Sequence, residues 1–347
     1  MPRRKTSNPT IKDVAILAGV SAQTVSFVIH NNPVISEETR QRVLEAISRL
    51  QYTPDATARS LRSGFSRVLG MLIPDAHNPH FWAILDGAEQ EALANGYSLI
   101  LTTTSMKRDR ERQAFDALIR QHLDGLILLL TYPEDFTDDI ARLRAKGLPV
   151  VIDGAQFEDV DRVWLHYRTA ARAMMDHLFS LGHRQIGFIE GVGRRDHLAG
   201  KDRMEIYHQK MSDLGVLPAD RIVITCDNTL DDGVAAALQM LQRPSPPTAI
   251  IGMNDLMAYG ALQAALRCGL RVPEDLSIAG FDDDAMFRVL APPLTTGGAN
   301  GAEFGAQAVR LILNRLKEPA LPPQKAHIAS YLIVRQSTGP VKTDDKR

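Results

Sequence analysis

The sequence lacks the marks of an exported or membrane-spanning chain. No apolar run reaches the roughly 18 residues that a membrane span needs, although LDGLILLL at 123–130 is dense. Residues 1–9 are basic and polar with no apolar stretch, which argues against a secretory leader and for a cytoplasmic, nucleoid-associated protein. Cysteine is scarce. Cys226 and Cys268 stand alone in separate segments, as expected of buried thiols in a reducing compartment. Catalytic signatures are missing too. GVG at 191–193 lacks the third glycine of G-x-G-x-x-G, and neither a P-loop nor a G-x-S-x-G elbow occurs. His77 and His80 are spaced like a ligand pair, but no cysteine or third ligand stands at metal spacing, so loop histidines are expected. Net charge is nearly absent, at −1, but it is unevenly spread. Residues 1–65 hold nine Lys/Arg against five Asp/Glu, and the remainder is acidic. A basic head on an acidic body suits phosphate binding by the head alone.

That head is patterned. Ile11, Val14, Ala15 and Ala18 fall on one stripe of a short helix, and Thr10 with Asp13 forms a capping box at its start. Gly19 stops this helix and Ser21 can cap a second, whose inner face is Val25, Val28 and Ile29. Two short helices around a glycine turn form a helix-turn-helix, which can serve DNA reading or plain packing. Ser36 to Leu50 is a third helix, with Val43, Ile47 and Leu50 inward. The stretch YTPDATARSLRSG at 52–64 follows, with Pro54 suited to a helix start but too few residues for a stable isolated helix.

Beyond Gly64, short apolar strands alternate with helices: VLGMLIP (68–74), then Phe81 to Ala94, and so on through SIAGF. No two-residue turn joins neighbouring strands, so a βα repeat with parallel sheets and helices on both faces is expected. The length suits two doubly wound lobes. Ligands of such sheets sit beyond the carboxyl ends of the strands. The polar residues there include Asp75, Asp153, Glu190, Asp227, Asn228, Asn254, Asp255 and Asp282 to Asp284. They read as a ligand cleft, although Asp and Asn at strand ends also cap the following helices.

The order and spacing of TIKDVA, AGVS, TVS, Glu38-Thr39-Arg40, Tyr52-x-Pro54 and Ala58-Arg59-Ser60-Leu61 resemble the lactose/galactose-repressor family of bacterial transcription regulators. The resemblance continues through NPHF (78–81), DGLIL (124–128), LGHRQIGFI (181–189), NDLMAYGAL (254–262), GLRVPEDLSIAGFDD (269–283) and PPLTT (292–296). It implies a division into a basic tail (1–9), an all-α helix-turn-helix domain (10–52), a hinge helix (53–65), a periplasmic-binding-protein-like core (66–340) and a short tail (341–347). In that core two lobes are joined by three crossovers, with a small-molecule effector between them. Asn254 and Asp282 are the implied ligand contacts, Arg203 the cleft arginine and Phe81 an aromatic wall. His183 is implied to be structural. Leu61, with Ala58 in the hinge segment, is implied to wedge the DNA minor groove beside its dimer mate. Thr10 and Tyr52 belong to the same implied DNA-contacting set.

For the DNA itself, Gln23 can bond adenine, Ser26 either base type, and Ala22 can meet a thymine methyl. Thr24, Arg40 and Arg3-Arg4-Lys5 suit phosphates. Phe27 departs from relatives with Arg or His; a thymine methyl or the protein itself can take its ring. Three departures lie in the core. His166-Tyr167 replaces Asp-Asn, Asn228 replaces an aromatic residue found in some members, and Gly297-Gly298 interrupts LTTI. Ile206 also stands where glycine is usual, close to Arg203. The glycines either loosen a crossover or reshape the pocket floor. Carboxylates, amides and an arginine favour a carbohydrate effector with no other cofactor and no metal. The expectation is a dimeric operator-binding repressor. The rival readings are an enzyme and a transport-linked sugar-binding protein.

Overall fold

The computed structural model describes residues 9–29, 31–52, 64–154, 157–191 and 198–342. The hinge residues Ala58 and Leu61 and the basic tail lie outside them. The chain divides into two compact units, Met1–Ser66 and Arg67–Arg347.

The first unit contains α1 (Ile11–Ala18), α2 (Ala22–Ile29) and α3 (Glu37–Leu50). Thr10 opens α1 by donating its amide and hydroxyl to Asp13 Oδ2, at 2.8 and 2.7 Å. These bonds hold the Asp13 carboxyl below the usual carboxylate range, the backbone amide contributing most. Gly19 ends the helix in the left-handed region, φ 64° and ψ 37°. The chain then turns by 101° into α2. Val14, Ala15, Ala18, Val25, Val28, Val43 and Ala46 form one buried cluster, with Ile11, Ile29, Ile47, Leu50 and Tyr52 packed against it.

The second unit is built on an 11-stranded sheet ordered β2-β1-β3-β4-β5-β11-β10-β9-β8-β6-β7. In its first half lie β1 (Val68–Ile73), α4 (His80–Ala94), β2 (Ser98–Thr103), α5 (Arg108–Ile119), β3 (Gly125–Leu128), α6 (Thr137–Ala145), β4 (Val150–Asp153) and β5 (Asp161–His166). The second half runs through α7 (Arg168–Ser180), β6 (Ile186–Gly191), α8 (Leu198–Asp213), β7 (Ile222–Cys226), α9 (Leu230–Leu241), β8 (Ala249–Gly252), α10 (Asp255–Arg267), β9 (Ser277–Asp282) and β10 (Thr295–Ala299). Then α11 (Gly301–Lys317) returns to pack on α4, and β11 (Lys325–Ile333) joins the halves.

The expected two-lobed, mainly parallel core is present, with one correction. The pair β10–β11 is antiparallel. The reason is that β11 serves both lobes: Lys325 to Ala329 run parallel beside β5, and Ser330 to Ile333 run antiparallel beside β10. The chain therefore crosses between lobes at Tyr167, at Asn300 and within β11. Ser330 ties two of these crossings, donating to the His166 carbonyl at 2.7 Å and accepting from the Ala170 amide at 3.2 Å.

Candidate functional site

On the first unit, Val25 and Val28 anchor α2 inward, which leaves Gln23 exposed and Ala22, Thr24, Ser26 and Phe27 half-buried. Ser21 caps this helix by accepting from the Thr24 amide at 3.1 Å, and the two hydroxyls lie 2.9 Å apart. Arg40, expected to hold phosphate, donates within the unit to Asn31 Oδ1 at 3.2 Å and to the Asn32 carbonyl at 2.9 Å. It fixes the loop after α2. Tyr52 packs on the three-helix core. Gln23 is thus the most exposed of these side chains, on a helix capped by Ser21 and followed by a loop that Arg40 holds.

In the core, the carboxyl ends of strands from both lobes enclose a cavity of about 780 Å³. Asp75, His77, Ser105, Lys107, Thr131 and Tyr132 line it from one lobe, and Asp227, Asn228, Thr229 and Leu256 from the other. The helices α5, α9 and α10 begin beside it, at Lys107, Thr229 and Asn254. First-turn amides have no partner within their own helix, so they add donors to a wall that is otherwise rich in hydroxyl, amide and carboxylate groups. A second cavity of about 660 Å³ lies near the crossovers, with His80, Trp82, Asp282, Asn300 and Tyr331 among its lining residues.

Against the second cavity lies a buried polar centre, with His80 and Asp282 on the cavity wall. Tyr167 donates its phenolic OH to Asp282 Oδ1 at 2.7 Å, and Arg203 Nη1 lies 3.5 Å from the same oxygen. His80 Nδ1, from the other lobe, stands 3.6 Å away. Burial drives the Tyr167 hydroxyl far above its ordinary range, so it stays a donor. Deeper still, Asp255 accepts from Thr296 Oγ1 at 2.6 Å and from the Asp284 amide at 3.0 Å. Burial, reinforced by Asp282, raises the Asp255 carboxyl well above the carboxylate range. Asp284 is pushed up to about 9 by burial and by the charges of Asp282, Asp255 and Asp283.

The residues singled out in the sequence thus take different positions. Asp75 and Asn228 line the first cavity and Asp282 the second. Asp153 is half-buried at the end of β4. Arg203 is 2% exposed and lines neither cavity. Asn254 caps α10, its Oδ1 accepting from the Met257 amide at 2.9 Å. Phe81, expected as an aromatic wall, is a core residue at 2% exposed, because α4 turns that face inward; Trp82 faces out at 55%. Tyr132 and Lys107 carry no signal in the sequence, since each follows a strand with no motif to mark it. His77 hydrogen-bonds Asp75 while His80 turns toward Asp282, so the two histidines do not converge. The Cys226 thiol is pushed up to about 12 by burial, which leaves no thiolate nucleophile at neutral pH.

A helix-turn-helix unit ahead of a two-lobed core with a polar inter-lobe cavity is the architecture of a ligand-responsive regulator. Residues 10–55 match the bacterial regulatory proteins of the lacI family, and residues 175–338 match a periplasmic binding protein-like domain. The chain is 34% identical to the ribose operon repressor of Haemophilus influenzae, over 89% of this chain and 92% of that protein. It is 32% identical to the transcriptional repressor PurR of Pasteurella multocida, over 94% of this chain and 98% of that one. Among solved structures, it resembles a lac repressor dimer bound to operator and an anti-inducer, at 26% identity, a TM-score of 0.81, and coverage of 96% of this chain and 100% of that one. The chain belongs to the lacI family of bacterial regulatory proteins. It is a regulator and not an enzyme.

Proposed function

We propose that this chain is a cytoplasmic transcriptional repressor that binds a palindromic operator as a dimer and is switched by a carbohydrate held between its lobes. The observation that carries the effector class is the lining of the 780 Å³ cavity. It joins carboxylate, amide and hydroxyl groups from both lobes to three helix N-termini, and Tyr132 is its one aromatic ring among the described residues apart from the His77 imidazole. Vicinal hydroxyls satisfy such a wall through many short hydrogen bonds, whereas a purine needs broad ring faces to stack on. The relatives named as ribose operon repressors agree with this preference, and the PurR relative marks the competing one.

The operator reading rests on α2, which presents Gln23 outward from a buried Val25–Val28 anchor. Dimerisation follows from two-fold readout, because one short recognition helix covers half a site. The strand β2 ends the sheet with Ile100 and Leu101 more than a third exposed, as a surface awaiting a second copy would be.

The deciding experiment is a thermal-shift titration of the full chain with ribose, other pentoses and hexoses, sugar acids and hypoxanthine. A sugar at about 100 times its dissociation constant adds roughly 2.7 kcal/mol to the folded state, a readily visible shift. A sugar response that disappears in Asp75→Ala supports the proposal. A response to hypoxanthine alone would replace carbohydrate by purine. A random-duplex selection that recovers no palindrome would remove the operator reading.

A further inference from the structure

One wall of the 780 Å³ cavity is fixed by a carboxylate that stands behind it. Thr131 and Tyr132 line that wall, just beyond the end of β3. Glu111, in α5, is 0% exposed and is not a lining residue. Its Oε1 accepts from the Thr131 amide at 2.7 Å, and its Oε2 accepts from the Tyr132 amide at 2.9 Å. Burial pushes the Glu111 carboxyl above its ordinary range, and the two amides oppose that by favouring the ionised form. Taking a carboxylate out of water is costly, and these hydrogen bonds from the loop offset the cost. Glu111 is thereby committed to one stretch of backbone, and that stretch faces the cavity.

Tyr132 carries the constraint further. Its hydroxyl donates to the Met106 carbonyl at 3.4 Å. Ser105 and Met106 line the same cavity, with φ at 51° and 56°, a left-handed region that residues other than glycine rarely enter. The Arg108 guanidinium lies 5.1 Å from the centre of the Tyr132 ring and is held there by Asp135, Nη2 to Oδ1 at 2.7 Å. One ring therefore joins the loop after β3, the strained turn before α5 and the first residue of α5. A shift of the Thr131–Tyr132 backbone would move all three.

We propose that Glu111 is a positioning residue for effector binding and acts through Tyr132. It touches no effector. It holds the backbone from which the cavity's phenol ring projects, and so sets where a sugar's apolar face can rest. This inference rests on the effector reading above and concerns the same cavity.

The test follows binding to the full chain by calorimetry, for the wild type, Glu111→Gln, Glu111→Asp, Tyr132→Ala and the double variant Glu111→Gln/Tyr132→Ala. The probe is ribose or, where ribose gives no thermal shift, the compound of the titration series that gives the largest. Glu111→Gln keeps the volume but turns an NH2 toward one of the two amides, and it is expected to weaken probe binding about tenfold. Glu111→Asp keeps both acceptors on a shorter stem, is expected to weaken binding as well, and takes the place of Glu111→Gln in the cycle where that variant does not fold. A general loss of packing would lower affinity whether or not the ring is present. In the Tyr132→Ala background, adding Glu111→Gln is therefore expected to cost less than about threefold. Unchanged affinity in Glu111→Gln, or equal losses in the two backgrounds, overturns the proposal while leaving the effector reading intact. A wild type that binds no compound of the series overturns the effector reading, and the role of Glu111 falls with it.

Discussion

At the residue scale, the strongest departures from solution chemistry lie among buried carboxylates. Asp284 is 7% exposed, and its Oδ2 has no hydrogen-bond partner among the described residues. Its folded-state pKa, about 9, exceeds the unfolded carboxylate value of about 3.9. The folded state therefore holds a proton that the unfolded chain releases, and the stability this gives is fully present below the unfolded value. It is lost progressively as pH rises toward the folded one. Replacing Asp284 with Asn removes that loss. Asp284→Asn should raise the melting temperature more at pH 8 than at pH 4.5, read by calorimetry at both values. An equal change at the two values would show that Asp284 titrates normally. The polar centre is only partly legible in the sequence. Motifs mark Asp282 and Arg203, but nothing joins His80 and Tyr167 to them. Asp282 stands 115 residues from Tyr167 and 202 from His80, and contacts at such separations leave no local pattern in a sequence.

Elements show how far local rules reach. Helices α1 to α3 are readable because cap, apolar stripe and stop agree at every step, from Thr10 to Gly19 and from Ser21 to Ile29. The turn between α1 and α2 can be tested directly. Gly19 has φ 64°, and nothing lies within 4 Å of where a Cβ would stand, so a substitution there meets backbone strain and no clash. Gly19→Ala should cost about 1–2 kcal/mol of the N-terminal unit's stability. It should show as a lower denaturation midpoint for that unit in the full chain and as weaker operator binding. Strands β5, β10 and β11 escape sequence reading for distinct reasons. The residues of β10 are TTGGA, a run with two glycines and little strand propensity, and it is extended because β9 and β11 pair on either side. In β5, buried Asp161 opens the strand where a loop residue would be expected, held there by Arg315 at 2.7 Å. The strand β11 changes partners midway, which no periodicity records.

For the whole molecule, the proposed two-fold operator sets the expected assembly. The full chain should sediment at twice its own mass at micromolar concentration. Leu101→Glu, placing a charge on the sheet's edge strand, should shift it toward monomer and weaken operator binding in parallel. A monomer that binds a palindrome with wild-type affinity would contradict that expectation. The lobes also differ in how their segments are supplied. The first takes residues from β1 through β5 and then waits for α11 and the start of β11. The second takes residues from α7 through β10 and waits for the end of the same strand.

That shared strand has a consequence for how the protein comes into being. A chain emerging from the ribosome cannot complete either half of its sensor until β11, near residue 333, has been made. The N-terminal helical unit, with its own buried cluster, is by then long since out. Truncated products of synthesis would therefore contain a formed helical unit attached to two unfinished halves. Such fragments would have neither a complete sensor nor a finished core through which to pair with a second copy, so on the proposed function they would hold an operator weakly and be left to protein quality control.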